Sequence, residues 1–249
     1  LFEGSQGGLD ASGNPTAANV SAAMNTGVGI ITYCGHGSET SWGTTNFSNS
    51  HINNLTNYNM LPFIISTACL NGKYVNQTCF AEAWLRATKN GQPTGAVSTV
   101  MSTMSQPWNP PMVGQDEMIR LLTGAENTTV KRTFGGIVFN GLAKMHEVYP
   151  TTTSQGLQTM RTWVLFGDPT LQVRTAVPQL LTVSHNSQIY TGVTQLQVSS
   201  PVENAKVVLT KGNTILAQGF ISGGSVMLNF NEVLIPTDTV HLLVSAFNY

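Results

Sequence analysis

The sequence predicts an α/β domain with a mostly parallel sheet flanked by helices, followed by a small β-sandwich. Up to residue 176, short apolar runs alternate with helix-like segments. The runs are apolar throughout rather than at every second position, which is typical of strands buried on both faces. Beyond that point, short strand-like segments follow one another with turn residues between them, as in a β-sandwich. We therefore expect one domain over residues 1–176 and a second over 177–249.

The individual elements follow from these patterns. In the first domain the strand-like runs cover residues 27–33, 61–68 and 94–100, and the helix-like segments cover 51–58, 80–87, 112–122 and 135–148. In the second domain the strand-like segments are 195–198, 206–210, 226–230 and 240–246. The alternation of strands and helices in the first domain predicts a layered fold with right-handed crossover connections.

The composition excludes several classes of function. Charged residues make up only 9% of the chain and the net charge is −1, so no basic surface is available to neutralise a nucleic-acid backbone. No apolar run approaches the roughly 18 residues of a transmembrane helix. The cysteines, Cys34, Cys69 and Cys79, are odd in number, which predicts at least one free thiol rather than a disulfide framework. We predict neither a nucleic-acid partner nor a transmembrane segment.

Two of the strand-like runs lead into residues suited to covalent catalysis. His36 follows the first run and Cys69 the second, and parallel sheets bind their ligands beyond the carboxyl ends of the strands. A thiolate is a strong nucleophile, and a nearby imidazole can take or hold its proton. Gly35 and Gly37 let the backbone approach a substrate, and the amides of Gly37 and Cys69 are suited to holding an oxyanion. The sequence thus predicts a Cys/His dyad.

Plainer interpretations of the same residues stay open at this stage. A free cysteine is usually a small buried apolar residue, and we expect this of Cys34. A zinc site would use Cys34, His36, Cys69 and Cys79. These four residues lack the close paired spacing of structural zinc motifs, which makes the zinc site the weaker alternative.

Three motifs carry a family resemblance: residues 33–43 (Tyr-Cys-Gly-His-Gly-Ser-Glu-Thr-Ser-Trp-Gly), 68–72 (Ala-Cys-Leu-Asn-Gly) and 79–83 (Cys-Phe-Ala-Glu-Ala). Together with residues 114–118, 131–136 and 166–169, they resemble the gingipains, which are caspase-like cysteine endopeptidases secreted by Gram-negative bacteria. The resemblance covers essentially the whole chain. It implies a caspase-like catalytic domain over residues 1–176 and an immunoglobulin-like domain over 177–249.

The resemblance also implies roles for individual residues. His36 matches the catalytic histidine of the gingipains, Cys69 matches the nucleophile, and Gly37 matches the glycine whose amide forms the oxyanion hole with that of Cys69. By themselves, two of the residues expected at the substrate pocket would be assigned to the core, namely Trp108 and Met112. The full set of residues expected to bind substrate is Gly35, Thr67, Trp108 and Met112.

The segment after Trp108 bears on the specificity. The lysine-specific gingipains carry an acidic residue three positions after this tryptophan, whereas here Trp108 is followed by Asn109, Pro110 and Pro111. The chain is therefore more similar to the arginine-specific branch, whose pocket aspartate precedes the histidine motif and would here precede Leu1. We expect an upstream segment of the same precursor to supply this residue and to complete the catalytic domain.

The resemblance further implies a structural calcium ion. Its expected ligands are Gln77, Glu82, Asp116 and Glu117, since carboxylate and carbonyl oxygens suit Ca²⁺. The plainer interpretation is that these carboxylates cap helices or occupy their first turns.

Taken together, these residues predict a secreted or surface-bound cysteine endopeptidase of a Gram-negative bacterium that cleaves proteins after a basic residue, with arginine favoured. Two alternatives stay open: a processing peptidase of a bacterial secretion system, and a non-catalytic surface or binding protein on the same fold.

Overall fold

The computed structural model describes residue 4 and residues 13–125, 130–150 and 155–249. The chain divides into two compact units, Leu1–Val173 and Arg174–Tyr249, where the sequence predicts a boundary between residues 176 and 177. Among the described residues, no helix combines the length and the apolar character that crossing a membrane requires.

Unit 1 contains helices and strands in alternation. Its helices are α1 (Ala17–Thr26), α2 (Asn49–Ile52), α3 (Phe80–Arg86), α4 (Asn109–Thr123), α5 (Phe134–Val148) and α6 (Gln155–Thr162). Its strands are β1 (Ile30–Cys34), β2 (Gly37–Ser38), β3 (Ser41–Trp42), β4 (Phe47–Ser48), β5 (Phe63–Thr67), β6 (Thr88–Lys89), β7 (Gln92–Pro93), β8 (Ser98–Ser102) and β9 (Trp163–Phe166).

The central sheet of unit 1 has the strand order β1-β5-β8-β9. Strands β1, β5 and β8 are parallel, and β9 pairs with β8 in the antiparallel direction. Every residue of β5 and β8 is buried, which explains why these strands are apolar or small at consecutive positions. The mostly parallel sheet predicted from the sequence is confirmed.

Helices cover both faces of this sheet because adjacent strand residues point in opposite directions. On one face, Ile64 packs with Met24 of α1 and with Phe80 and Trp84 of α3. On the other face, Ile65 and Val100 pack with Met118 of α4, Ile137 of α5 and Trp163 of β9. The two apolar clusters hold the carboxyl ends of β1 and β5 side by side.

Two helix predictions need correction. The helix expected over 51–58 is only the short α2, which begins after Ser48 and ends at Ile52; the Asn54 side chain donates to the Ser50 carbonyl at 2.9 Å and replaces a helical bond. Helix α4 begins at Asn109 rather than Met112, because Pro110 and Pro111 lie in its first turn, where a missing N–H costs nothing.

Unit 2 consists of two three-stranded antiparallel sheets around one apolar core. Its strands are β10 (Ser184–His185), β11 (Gln195–Ser199), β12 (Lys206–Lys211), β13 (Thr214–Phe220), β14 (Ser225–Asn229) and β15 (His241–Ser245), in the orders β10-β11-β14 and β13-β12-β15. Val198, Val207, Leu209 and Leu228 form the centre of the core. Strand β13 did not follow from the sequence. The assignment of this sandwich to the immunoglobulin-like class stays a prediction.

Candidate active site

His36 and Cys69 lie at the same edge of the central sheet, in the loops that follow β1 and β5. Strands β1 and β5 are parallel neighbours with Cys34 opposite Thr67, and the Gly35 amide donates to the Thr67 carbonyl at 3.1 Å. The loops that follow the two strands therefore start side by side. His36, Thr67, Cys69 and Trp108 line one small cleft of about 20 Å³ together with Gly35, Ala68, Gln106 and Pro107. The structure thus brings the two residues of the predicted dyad together.

The backbone of the segment after β8 holds Cys69, the expected nucleophile. The Gln106 amide donates to the Cys69 sulfur at 3.3 Å, and the Cys69 thiol lies 3.8 Å from the Gln106 carbonyl oxygen. Leu70, the next residue, has a φ of 63°, a left-handed conformation that is uncommon for a side chain of this size. Its amide donates to the Met104 carbonyl at 3.1 Å. The chain therefore turns sharply after Cys69, and hydrogen bonds to Met104 and Gln106 fix that turn.

His36 combines a fixed backbone with an exposed side chain. Its carbonyl oxygen accepts hydrogen bonds from the Tyr33 hydroxyl and from the Gly43 amide, each at 2.7 Å. His36 is exposed, and its imidazole forms a T-shaped contact with the Trp108 indole, with 5.3 Å between ring centroids and 79° between the planes. The imidazole therefore stands at the solvent side of the cleft, where a leaving group would depart.

Gly37 lies against the loop after β5 that carries Cys69, called the nucleophile loop after its expected role, and its amide points away from the hairpin partner strand. In the β2–β3 hairpin, Gly37 faces Trp42, and the neighbouring pair is bonded through the Gly43 amide and the His36 carbonyl. Because bonded and non-bonded pairs alternate along an antiparallel ladder, the Gly37 N–H lies outside the ladder. A Cβ on Gly37 would stand 2.7 Å from the Cys69 carbonyl oxygen and 2.9 Å from the Ala68 Cβ. Glycine is required here for this close approach.

The expected substrate-binding residues only partly assemble. Trp108 is 53% exposed and Met112 is 43% exposed, so assigning either residue to the core would be wrong. Trp108 and Gly35 line both the small cleft and a larger cavity of about 620 Å³ beside β1 and α1. Thr67 lines the small cleft and is 3% exposed. Met112 is in neither lining, so the structure does not join it to the others.

Cys34 is the site residue that sequence analysis placed wrongly. It is exposed and lines the larger cavity with His36 and Trp108, so the core assignment is wrong. Although the residue is exposed overall, partial desolvation of its thiol, and secondarily the Asp116 carboxylate, raises the pKa of Cys34 above its usual value. The signal was present in β1, where the residues that pack on the first apolar cluster, Ile31 and Tyr33, alternate with Thr32 and Cys34.

The metal-binding hypotheses do not fit the described residues. Over residues 13–125, 130–150 and 155–249, no three His, Cys, Asp or Glu side chains lie close enough to share a metal ion. The zinc alternative is wrong, since Cys79 is buried at the start of α3 while Cys34 is exposed.

The four expected calcium ligands do not form one site either. The Glu82 carboxylate accepts the Cys79 amide at 2.9 Å, the Glu117 carboxylate pairs with Arg120 at 2.7 Å, and Gln77 is exposed. The Asp116 carboxylate instead contributes to the raised pKa of Cys34. The Glu82 carboxylate therefore serves helix capping, and the Glu117 carboxylate serves ion pairing. Calcium binding by this protein stays a prediction.

Comparisons with known proteins agree with this geometry. The sequence profile of peptidase family C25 matches residues 3–174. Gingipain R2 and gingipain R1 of Porphyromonas gingivalis are 38% and 39% identical over 234 residues, which cover 94% of this chain but 31% and 23% of those proteins. Lys-gingipain HG66 of the same species is 36% identical over only 69 residues, or 27% of this chain.

Solved structures show the same likeness. The crystal structure of the Arg specific cysteine proteinase gingipain R (RGPB) is 38% identical, with a TM-score of 0.86 over 94% of this chain and 54% of that chain. The complex of P. gingivalis RgpB pro- and mature domains gives a TM-score of 0.85. This chain therefore spans about half of these solved chains and less than a third of gingipain R2.

These comparisons confirm the resemblance to the gingipains and its closer relation to the arginine-specific branch. The match of the family profile over residues 3–174, together with the shared fold, shows that the chain belongs to peptidase family C25.

Proposed function

We propose that the protein is a cysteine endopeptidase that cleaves protein and peptide substrates after arginine. The observation that carries the proposal is the meeting of Cys69 and His36 in one cleft, on loops that leave neighbouring parallel strands. The relatives gingipain R2 and the Arg specific cysteine proteinase gingipain R support the same reaction.

The reaction follows from the positions of the groups. The Cys69 thiol gives its proton to His36 as the sulfur attacks the carbonyl carbon of the scissile bond, and the carbonyl oxygen takes the negative charge beside the amides of Gly37 and Cys69. The C–N bond then breaks as His36 passes this proton to the leaving amine. Water attacks the resulting thioester and gives one proton to His36. His36 returns that proton to the departing sulfur, which restores the thiol and releases the acid product.

The pocket is suited to bind a planar cationic side chain. The exposed Trp108 indole offers a face on which a guanidinium can stack. The described residues that line the two cavities include no Asp or Glu, so the counter-charge for arginine has to come from elsewhere. We propose that a further segment of the same precursor provides it. The relatives' greater length supports this proposal.

We propose that the enzyme acts outside the cell, secreted or held at the surface of a Gram-negative bacterium. The low share of charged residues, 9%, and the similarity to gingipains of P. gingivalis support this location.

Paired fluorogenic peptides ending in Arg or Lys test the proposal directly. The full-length protein is expected to cleave the Arg peptide, and Cys69→Ala is expected to abolish cleavage. The matched control Cys79→Ala removes a thiol that lies outside both cavities and should retain activity.

Other outcomes would redirect the proposal. Cleavage of the Lys peptide alone would overturn the arginine specificity. Cleavage confined to sorting-signal peptides would indicate a processing peptidase of a secretion system. Full activity in Cys69→Ala would mean that Cys69 is not the nucleophile. No cleavage of any peptide by the folded full-length protein would leave the non-catalytic surface role.

A further inference from the structure

We propose that Asn71 is a positioning residue that sets the distance between the two amides of the oxyanion hole. This inference rests on the proposed function, because the hole matters only if Cys69 attacks a carbonyl group. Asn71 itself touches neither the sulfur nor the imidazole by hydrogen bonding. It acts through the backbone of the two loops that carry Gly37 and Cys69.

The Asn71 side chain links the nucleophile loop to the β2–β3 hairpin, which follows His36. It is completely buried, and it lies two positions after Cys69. Its amide nitrogen donates to the Ser38 carbonyl at 2.7 Å and to the Ser41 carbonyl at 3.0 Å. Ser38 directly follows Gly37, and Ser38 and Ser41 face each other in the β2–β3 hairpin. Both N–H groups of the amide therefore hold the hairpin that carries Gly37.

The oxygen of the same amide is fixed from the sheet. The Ser66 hydroxyl of β5 donates to Asn71 Oδ1 at 2.9 Å, and Trp42 Nε1 donates to the Ser66 hydroxyl at 3.0 Å. Trp42 in turn faces Gly37 in the hairpin. Hydrogen bonds thus run from Trp42 through Ser66 and Asn71 to Ser38, and the β2–β3 hairpin, in which Gly37 precedes Ser38 and faces Trp42, closes this ring. Because the side chains of this ring are buried, water cannot replace a lost partner, and each bond is costly to break.

This ring determines where Gly37 stands relative to Cys69. A Cβ on Gly37 would lie 2.7 Å from the Cys69 carbonyl oxygen and 2.9 Å from Asn71 Nδ2, so the hairpin already touches the nucleophile loop. Donors stabilise an oxyanion only within a few tenths of an ångström of hydrogen-bond distance. A second link between the same loops, the Lys73–Glu39 ion pair at 3.1 Å, is partly exposed. Solvent screens such a pair, so it positions the loops less tightly.

Asn57 provides a matched control on the opposite edge of the sheet. It is also completely buried, and its amide nitrogen donates to the Met60 and Gly95 carbonyls at 2.9 and 2.8 Å. Met60 precedes β5 and Gly95 precedes β8, whereas Asn71 follows β5. Asn71→Asp and Asn57→Asp thus remove equivalent donors, and we expect both to lower stability. Asn71→Ser is a second, smaller change in case Asn71→Asp does not fold.

Three readouts on the full-length protein separate positioning from general damage. In folded Asn71→Asp or Asn71→Ser, kcat is expected to fall about 10- to 100-fold with KM little changed, because the interaction is made in the transition state. Affinity for a peptide aldehyde ending in argininal, which forms an oxyanion on Cys69, should fall by a similar factor. Alkylation of Cys69 by iodoacetamide forms no oxyanion and should keep its rate. Asn57→Asp should change none of the three.

Each contrary result has a distinct meaning. Unchanged kcat and aldehyde affinity in folded Asn71 variants would overturn the inference. So would an equal loss of alkylation rate, which would place the effect on the thiol, or an equal loss of kcat in Asn57→Asp. If the unmodified protein shows no Cys69-dependent cleavage, the proposed function fails first and the inference fails with it. Normal cleavage by unmodified protein and by the Asn71 variants overturns the inference alone.

Discussion

Gly37 shows at the scale of one residue how the site depends on a missing side chain. Its φ is not in the left-handed region, so its backbone conformation alone does not demand glycine. Glycine is required for steric reasons, because a Cβ would collide with the Cys69 carbonyl oxygen, a backbone atom that cannot rotate out of the way. Sequence analysis identified Gly37 through its neighbour His36, and the structure supplies the physical reason for it.

Gly37→Ala is expected to lower kcat about 100- to 1,000-fold, the usual effect of losing one oxyanion donor. The added methyl group has to displace the hairpin from Cys69, whose carbonyl would stand at 2.7 Å. Peptide hydrolysis and thermal unfolding measured on the same sample check this expectation.

Gly219→Ala is the control for the size of the change. There the Cβ would meet the end of the Val226 side chain, also at 2.7 Å, in unit 2. This variant should keep its kcat. Full activity in Gly37→Ala would mean that the Gly37 amide is not used.

At the scale of elements, the Glu82 carboxylate at the start of α3 has two possible roles, as a helix cap or as a calcium ligand. Cys79 precedes the helix, and the Glu82 carboxylate reaches back to its amide at 2.9 Å. This reciprocal capping satisfies one of the N–H groups that a helix start leaves without a partner. The helix carries Phe80 and Trp84 into the first apolar cluster, so its start helps to fix the core beneath the nucleophile loop.

Glu82→Ala is expected to destabilise the protein by about 1 kcal/mol through loss of the cap. The loss should be the same in excess calcium and in EDTA, as measured by denaturant unfolding. Glu147→Ala on α5 removes an exposed carboxylate that pairs with Lys144 at 2.9 Å, and it should cost less than about 0.5 kcal/mol. A loss that appears only when calcium is present would instead identify Glu82 as a calcium ligand.

At the scale of the whole molecule, each of the two units has an apolar core of its own. In unit 2, an ion pair links the loop before β15 to β12. The Asp238 carboxylate accepts the Ile235 amide at 2.9 Å and pairs with Lys211 at 3.0 Å. The Ile235 hydrogen bond first, and the Lys211 ammonium second, lower the pKa of Asp238 below its ordinary value of 3.8.

This lowered pKa predicts acid sensitivity in unit 2. The folded state holds Asp238 ionised, so its stabilising effect is present above pH 3.8 and is lost as the pH falls through the lower folded pKa. Asp238→Asn should therefore weaken the protection of β12 and β15 near neutral pH and flatten its decline in acid. Hydrogen exchange of these strands between about pH 5 and about pH 3 measures this effect.

Lys211→Met is the companion variant, because it removes the cation and leaves the carboxylate. It should also reduce the acid dependence, though less, since the Ile235 hydrogen bond stays. An acid decline in Asp238→Asn as steep as that of the unmodified protein would contradict the assignment.

Much of the site followed from the order of residues along the chain. A buried parallel strand needs apolar residues at successive positions, so β1, β5 and β8 were predictable, and the residues that follow parallel strands share one edge of the sheet. His36 and Cys69 could be placed together for that reason. Residue chemistry then suggested a dyad, and the flanking glycines suggested close backbone approach.

What the tertiary structure alone decided are the contacts between residues distant in sequence. Asn71 meets Ser38 across 33 positions, and no local pattern reports such a bond. Two of the expected calcium ligands have other partners, since Glu82 caps α3 and Glu117 pairs with Arg120. Cys34 is exposed because its strand has one covered and one open face. Sequence determines which chemical groups the chain carries and on which element each lies. Packing decides which of them meet, because burial makes an unpaired polar group costly and so selects its partners.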